Sequence, residues 1–316
     1  MSAPTSNPIH PRGVFASILT ESRKEKAHLL YKSSVQTWRL FRTNSAGMIG
    51  LGMLVAFVTM SLVAPLLATH DGPLSLKWAE VNPQYASPSL EFPFGTDYYG
   101  RDVWSLTLWG SRASLIVGML ASLISIVLGT SVGLGAGYFG KIADEVLMRL
   151  TDFFLVIPWF PLMIVFVMLF GQTFENVIIA IGITSWPSTA RIVRAQVLSV
   201  KERAFVERAR AVGAGNGRII WKHILPNVFP LIFANTVLLI ANSIFSESFL
   251  DFFGLGDPTV ISWGTMLESA YEYQAFSSFA WWTILAPGLC IILLIMAFYL
   301  IGDALDEVLN PKLRRR

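Results

Sequence analysis

Apolar stretches recur along the chain at lengths that a lipid bilayer selects. They run from Ala46 to Ala68, Ser114 to Tyr138, Phe153 to Phe170, Val177 to Thr189, Val228 to Phe245 and Trp281 to Leu300. Hydrocarbon offers backbone N–H and C=O groups no partner, so a run of about 20 apolar residues must satisfy them inside its own helix. The pattern predicts an all-α integral membrane protein with six transmembrane helices. The fourth stretch is short and holds Pro187, so it either runs on to about Val193 or kinks; without it the count is odd. Three parts follow: an N-terminal tail over 1–44 with a membrane-surface helix, a six-span body over 45–304, and a basic C-terminal tail over 305–316.

Composition agrees with the pattern. Hydrophobic residues make up 53% of the 316, and charged residues only 14%, against roughly 25% in a soluble domain. The polar first 44 residues lack the short apolar core and small-residue cleavage site of a secretory signal, so the first span is expected to be retained. All but three of the 24 Lys and Arg residues fall in alternate inter-span segments; the exceptions are Lys77, Arg101 and Arg112. Basic residues accumulate on the cytoplasmic side, so both termini are expected there. The segment between spans four and five lies inside the cell on the same count. Outside, the loop from Ser246 to Ala280 has no Lys or Arg. Trp281 and Trp282, with Trp104 and Trp109, sit where interfacial rings are expected.

The chemistry of the spans narrows the function. As bounded above, none contains Asp, Glu, Lys, Arg or His, which counts against a carrier driven by protons or sodium. A membrane enzyme would need converging acid, base or metal-binding groups, and none converge. The four histidines are far apart and the lone Cys290 has no disulfide partner, so no metal site is expected. Gly135 to Ile142 reads GAGYFGKI, with the glycine and lysine spacing of a phosphate-binding loop but Ile142 where Ser or Thr should hold magnesium. It follows an apolar span rather than a strand, so it is a helix end and the chain itself is not expected to bind ATP. Gly129, Gly133 and Gly137 form a small-residue helix face suited to close packing, as do Gly47, Gly50 and Gly52. In span five, Asn235, Asn242 and Ser246 share one helical stripe. The stripe either hydrogen-bonds to neighbouring helices or lines a translocation path.

One segment is far more polar than its surroundings: ERARAVGAGNGRIIWKHILPN, Glu207 to Asn227. Its approach, Val200 to Val212, has the period of an amphipathic helix, with Phe205, Ala209 and Val212 on one face and Arg203, Glu207 and Arg210 on another. Glu207 is within reach of Arg203 and Arg210. Gly213 or Gly215 should then end the helix and turn the chain. A second short helix, Arg218 to Ile224, should stop at Pro226, which starts span five. A basic helix of this kind can lie on anionic lipid; the glycine turn, which lipid adhesion does not need, favours a projecting knob offered to a soluble partner.

Glu207, Ala209, Gly213, Leu225 and Pro226 resemble the EAA loop of bacterial ABC importer permeases, and RARAVGAGNGRIIWKHILPN resembles the dipeptide and oligopeptide subfamily in particular. Arg208 departs from the family pattern, standing where its first alanine is usual. Before span two, Gly95, Thr96, Asp97, Gly100, Arg101, Asp102, Gly110, Arg112, Ser114 and Leu115 resemble the extracytoplasmic signature of the C-type member of the peptide permease pair; FFGLGDP, Phe252 to Pro258, resembles the segment after span five. Read as residues alone, Asp97, Arg101, Asp102 and Arg112 form either an ion-pair cluster or a contact with a binding protein. The resemblance covers the chain from about Trp38 to its end. It implies a type I ABC importer permease fold and a peptide importer in a bacterial or archaeal cytoplasmic membrane, with nickel chelates or oligosaccharides as alternative cargo. It implies as partners a second, B-type permease, two cytoplasmic ATPases that bind ATP and magnesium, an extracytoplasmic binding protein and lipid, with no nucleic acid. It also implies that Glu207, Ala209, Arg210, Ala211, Val212, Gly213, Ala214 and Pro226 form a coupling helix docked on an ATPase.

Overall fold

The computed structural model describes residues 32, 35–68 and 82–309, with side chains to residue 308. The tail before residue 32, the loop holding His70 and Lys77, and the basic end from 310 lie outside the described residues. Those residues form helices α1 (35–43), α2 (Ser45–Leu67), α3 (Val103–Phe139), α4 (Lys141–Val156), α5 (Trp159–Phe170), α6 (Phe174–Lys201), α7 (Ala204–Ala211), α8 (Asn216–Ile219), α9 (Leu225–Phe252), α10 (Trp263–Glu272) and α11 (Trp282–Leu309). Among them there is no strand, only an isolated bridge between Thr96 and Asp102.

Every predicted span falls on helix, but the boundaries move. Four helical bodies are long and apolar enough to cross a membrane alone: α2, α3, α11, and the run from Asn216 to Phe252 that contains α9. The stretch expected as one span from Phe153 to Phe170 is broken: α4 and α5 meet at 88° and together make a fifth candidate. The cause is local. Ile157 precedes Pro158, and the proline ring pushes the residue before it out of the helical region; Ile157 has φ −75° and ψ 128°. The fourth stretch runs straight on, since α6 continues through Pro187 to Lys201. At the other end of the chain α11 passes through residue 304, the expected edge of the body, without a break.

The α3 and α6 helices form the closest pair, and the glycine stripe explains why. A Cβ added at Gly129, Gly133 or Gly137 would stand 2.6 Å from Thr189 Cβ, 2.6 Å from the Ala190 carbonyl and 2.8 Å from Val197 Cβ, respectively. In lipid, where apolar burial gives little drive, such close approach is a main source of helix association. The α11 helix packs against both α2 and α9, and Gly47 and Gly50 press on it in the same way. Gly52 does not; it faces open space. The lookalike phosphate loop is the end of α3, where Gly140 and Lys141 turn the chain at φ 64° and 47°.

Candidate functional site

The polar segment is built from α7, a glycine turn and α8. The α6 helix ends at Lys201, and Arg203, extended at φ −78° and ψ 142°, separates it from α7, so the expected single helix from Val200 is two. Val206 is fully buried in a cluster with Val193, Val197, Val200, Ile219, Ile224 and Val228. Phe205 and Ala209 pack on its edge, as the period predicts. Val212 does not. The helix stops at Ala211, so Val212 leaves the buried face and stands 84% exposed. Arg208, Arg210, Ala211 and Gly213 are exposed beside it. Glu207 is also exposed, and it forms no ion pair with Arg203 or Arg210. The Arg208 side chain folds back along α7, its Nε donating to the Ala204 carbonyl at 3.3 Å.

Backbone bonds close the turn. The Ala214 N–H donates to the Ala209 carbonyl and the Gly213 N–H to the Arg210 carbonyl, each at 3.0 Å. This is the paired-bond ending in which the residue after the cap takes a left-handed conformation. Gly213 has φ +81°. Ala209 and Ala214 then meet the same apolar cluster, fixing both feet of the turn while its tip stays exposed.

The turn is joined without a break to a helix long enough to cross a membrane. Pro226 was expected to start a new element, but α8 runs into α9 through a π-helical turn, Ile220–Ile224. Pro226 has no N–H for the ladder. The wider turn accommodates this: the Leu225 N–H reaches the Ile220 carbonyl, and Asn227 Nδ2 donates to the His223 carbonyl at 2.7 Å. One continuous helical body thus runs from Asn216 to Phe252.

The polar stripe on α9 divides. Asn235 Nδ2 donates to Thr189 Oγ1 on α6 at 3.1 Å, a helix-to-helix bond. Asn242 and Ser246 instead line an open groove of about 390 Å³, with Thr184, Ser185 and Ser188 of α6 and Trp159 of α5. The Asn242 amide oxygen also accepts from the Tyr299 hydroxyl at 3.1 Å.

On the opposite end of the bundle the four charged signature residues do not form one cluster. Asp97 pairs with Arg101 Nε at 2.7 Å and also accepts from the Tyr99 and Arg101 N–H groups. Burial pushes the Asp97 carboxyl up, against the opposing pull of Arg101. Asp102 caps α3 instead, accepting from the Trp104 and Ser105 N–H groups, and Arg112 lies over the Trp109 ring, 5.2 Å from its centroid. Trp104 meets Phe94 edge-on at 5.0 Å. Trp282, expected at the lipid interface, is 7% exposed, and its Nε1 donates to the Thr96 carbonyl at 3.0 Å.

Sequence reasoning missed Glu247 and Asp251. They lie just past Phe245, where the fifth span was expected to end, but α9 continues and buries them at 1% and 5% exposure. Ser114 and Ser248 donate to Glu247 at 3.1 and 3.0 Å, and Ser262 donates to Asp251. The carboxyls thus knit α9 to α3 and to the cap of α10. Their one-turn spacing was visible in the sequence; their burial was not.

Residues 125–315 match the family described as binding-protein-dependent transport system inner membrane component, and residues 34–86 match the N-terminal transmembrane domain of oligopeptide transport permease C. The chain belongs to this permease family. Relatives cover nearly its full length. The dipeptide transport system permease protein DppC of Alkalihalophilus pseudofirmus is 36% identical over 289 residues, 89% of this chain and 92% of that one. DppC of Bacillus subtilis is 35% identical over 303 residues, 94% and 93% of the two chains. The oligopeptide transport system permease protein OppC of Bacillus subtilis is 32% identical, covering 92% and 94%. An inward-facing MetNI methionine ABC transporter shares the fold, with TM-score 0.52 and 20% identity over 65% of this chain and 95% of that one. The chain is therefore a multi-pass inner membrane permease of an ABC importer, a non-catalytic subunit that works with an ATPase and a substrate-binding protein.

Proposed function

We propose that this permease forms half of a peptide pathway and is driven through the turn between α7 and α8. Its relatives are dipeptide and oligopeptide permeases over nearly their whole length, which supports peptide as cargo. The other half is a second, B-type permease, and two cytoplasmic ATPases hold the ATP and magnesium, so the chain needs no cofactor of its own. The full complement is six spans in a bacterial or archaeal cytoplasmic membrane with both termini inside, α6 supplying the span that hydropathy alone does not score. The segment before α1 and the basic end past α11 lie on the cytoplasmic side.

The observation that carries this is the exposed turn at Gly213, fixed at both feet and continuous through α8 with a membrane-crossing helix. Glu207, Arg210, Ala211 and Val212 offer contacts to the ATPase from the exposed side, Ala209, Gly213 and Ala214 set the shape, and Pro226 marks the join to α9. Movement at the turn reaches Asn242 and Ser246, which face the path, while Asn235 holds α9 to α6.

Gly213→Asp is the test. Nothing lies within 4 Å of a Cβ at this position, and Asp tolerates the left-handed region better than most residues. The chain should fold and insert normally while transport and binding-protein-stimulated ATP hydrolysis are lost. Wild-type coupled hydrolysis by that variant complex would sink the proposal. Cysteines at 242 and 246 should react with an impermeant thiol reagent in a state-dependent manner, and one at 235 should not. Equal, state-independent labelling at all three would remove the pathway assignment.

A further inference from the structure

The open groove lined by α6 and α9 holds about 390 Å³, and none of its lining residues carries a charge. Trp159 and Phe245, each 46% exposed, supply apolar surface. The rest is polar, and its hydrogen-bonding groups are not interchangeable.

A serine or threonine hydroxyl has one proton to give and two lone pairs to offer. In this groove the protons are already spent. Thr184 Oγ1 donates to the Ala180 carbonyl at 2.8 Å, Ser188 Oγ to the Ser185 carbonyl at 3.3 Å and Ser246 Oγ to the Asn242 carbonyl at 2.9 Å, each about one turn back along its own helix. These three therefore present oxygen acceptors to the groove. Pro187 lines the same side and has no N–H for the carbonyl of Ile183, which is left without its ladder partner. Asn242 is the reverse. The Tyr299 hydroxyl takes its amide oxygen at 3.1 Å, while Nδ2 has no partner among the described residues and is free to donate. Ser185 Oγ, also without a partner among them, can do either.

Several acceptors, an amide donor and no charge complement a chain that alternates N–H and C=O groups. A peptide main chain has that alternation whatever its side chains are. A carboxylate chelate, which offers acceptors alone, would meet acceptors along α6.

We infer that this groove is a subsite for the main chain of the cargo peptide. Its N–H groups bond to the oxygens of Thr184, Ser188 and Ser246, a carbonyl bonds to Asn242 Nδ2, and side chains lie on Trp159 and Phe245 or toward the open side. The inference rests on the proposed peptide pathway and gives it a selectivity: main-chain N–H is read, side-chain charge is not. Neutral hydrogen bonds also suit a path. Cargo must be held well enough to enter and loosely enough to leave, and a fixed opposite charge would hold it.

The test uses the whole transporter in proteoliposomes with its own binding protein, loaded and saturating, so that delivery is constant while peptide uptake is read. Ala-Ala, Ala-Lys and Ala-Glu should enter at similar rates. Ala-Ala methylated on its amide nitrogen should enter about threefold to tenfold more slowly, the worth of one hydrogen bond. Thr184→Val keeps the shape and should slow all three parent peptides by a similar factor. Ser188→Ala, at an exposed position, should do the same and guards against misfolding at the buried Thr184. Ser188→Asp should make the groove read charge, Ala-Lys outrunning Ala-Glu about tenfold, and Ser188→Lys should reverse the order. Wild-type discrimination between Ala-Lys and Ala-Glu would overturn the subsite. So would parent-rate uptake of the methylated peptide together with unslowed Thr184→Val and Ser188→Ala. In both cases uptake by the wild type leaves the proposed function standing. A wild-type transporter that hydrolyses ATP with the loaded binding protein yet takes up no peptide would overturn both.

Discussion

At one end of the α9 body sits a turn whose shape comes from backbone bonds between residues five or fewer apart, Ala214 to Ala209 being the longest. At the other end the elements around α9 are tied by side-chain bonds between residues far apart in sequence: Ser114 on α3 to Glu247 on α9 spans 133 positions, Trp263 on α10 to Thr107 on α3 spans 156, and Tyr85 to Tyr273 just past α10 spans 188. The first takes its shape from its own backbone bonds, while Val206, Ala209 and Ala214 seat it on the apolar cluster shared with α6 and α9 and the Tyr138 hydroxyl donates to Asn216 Oδ1 at 2.9 Å, so it keeps its shape as it moves with those helices. To move at the other end, α9 would have to break its bonds to α3 and to the cap of α10. A rod pushed at its exposed turn and anchored at the other end tilts, and the groove at Asn242 and Ser246 lies near the anchored end.

The sharpest way to break this contrast is Trp263→Ala. Trp263 is fully buried, meets Phe57 edge-on at 5.6 Å, and donates its Nε1 to the Thr107 carbonyl at 2.9 Å. Removing a buried indole costs about 3–5 kcal/mol, concentrated at the anchored end. The thermal midpoint of the purified permease should fall, and protease should cut first in the connections flanking α10. Trp263→Phe keeps most of the packing and loses the one bond, about 1 kcal/mol, so its midpoint should fall far less. If Trp263→Ala melts with the wild type, the anchored end is not where the stability lies. The smaller counterpart is Gly213→Asp. A residue with a Cβ in the left-handed region is strained by about 1–2 kcal/mol at most, and the strain stays within the turn. Its effect on melting should be slight beside its effect on coupling.

The two ends also differ in how far the sequence announced them. The Gly213 turn was legible because a left-handed position leaves a glycine behind, and the amphipathic period located Phe205 and Ala209 correctly. It failed at Val212 for a physical reason: periodicity presumes that the helix continues, and this one had ended. Along the spans, hydropathy registered the apolar run from Phe153 to Phe170 but carries no direction, so the 88° bend at Pro158 left no trace in it. Proline by itself did not predict bends either, since Pro187 and Pro226 lie in helix that continues. The anchored end was the least legible. Trp282 looked like an interfacial ring because its partner, the Thr96 carbonyl, is 186 positions away. Glu247 and Asp251 looked like loop residues because their serine partners come from α3, from α9 and from the cap of α10.

The smallest expected effect sharpens the contrast by pH. Burial, and then the neighbouring Glu272, raise the Glu268 carboxyl above its ordinary range. The other groups around it are Arg101 and Tyr99 across a cleft, Tyr273 on its own side and Asp251 on α9. Of these, Tyr99 stays neutral, its hydroxyl pushed up to about 12. A raised carboxyl takes up its proton at a pH above the usual value of about 4.3. Between its unfolded and folded pKa values the native state binds the extra proton, so this contribution to stability grows as pH falls through that window. Mild acid should therefore cost no thermal midpoint through Glu268, and Glu268→Gln should remove that part of the pH dependence. A loss of midpoint in mild acid, unchanged by Glu268→Gln, would assign the acid sensitivity to the rest of the anchored end.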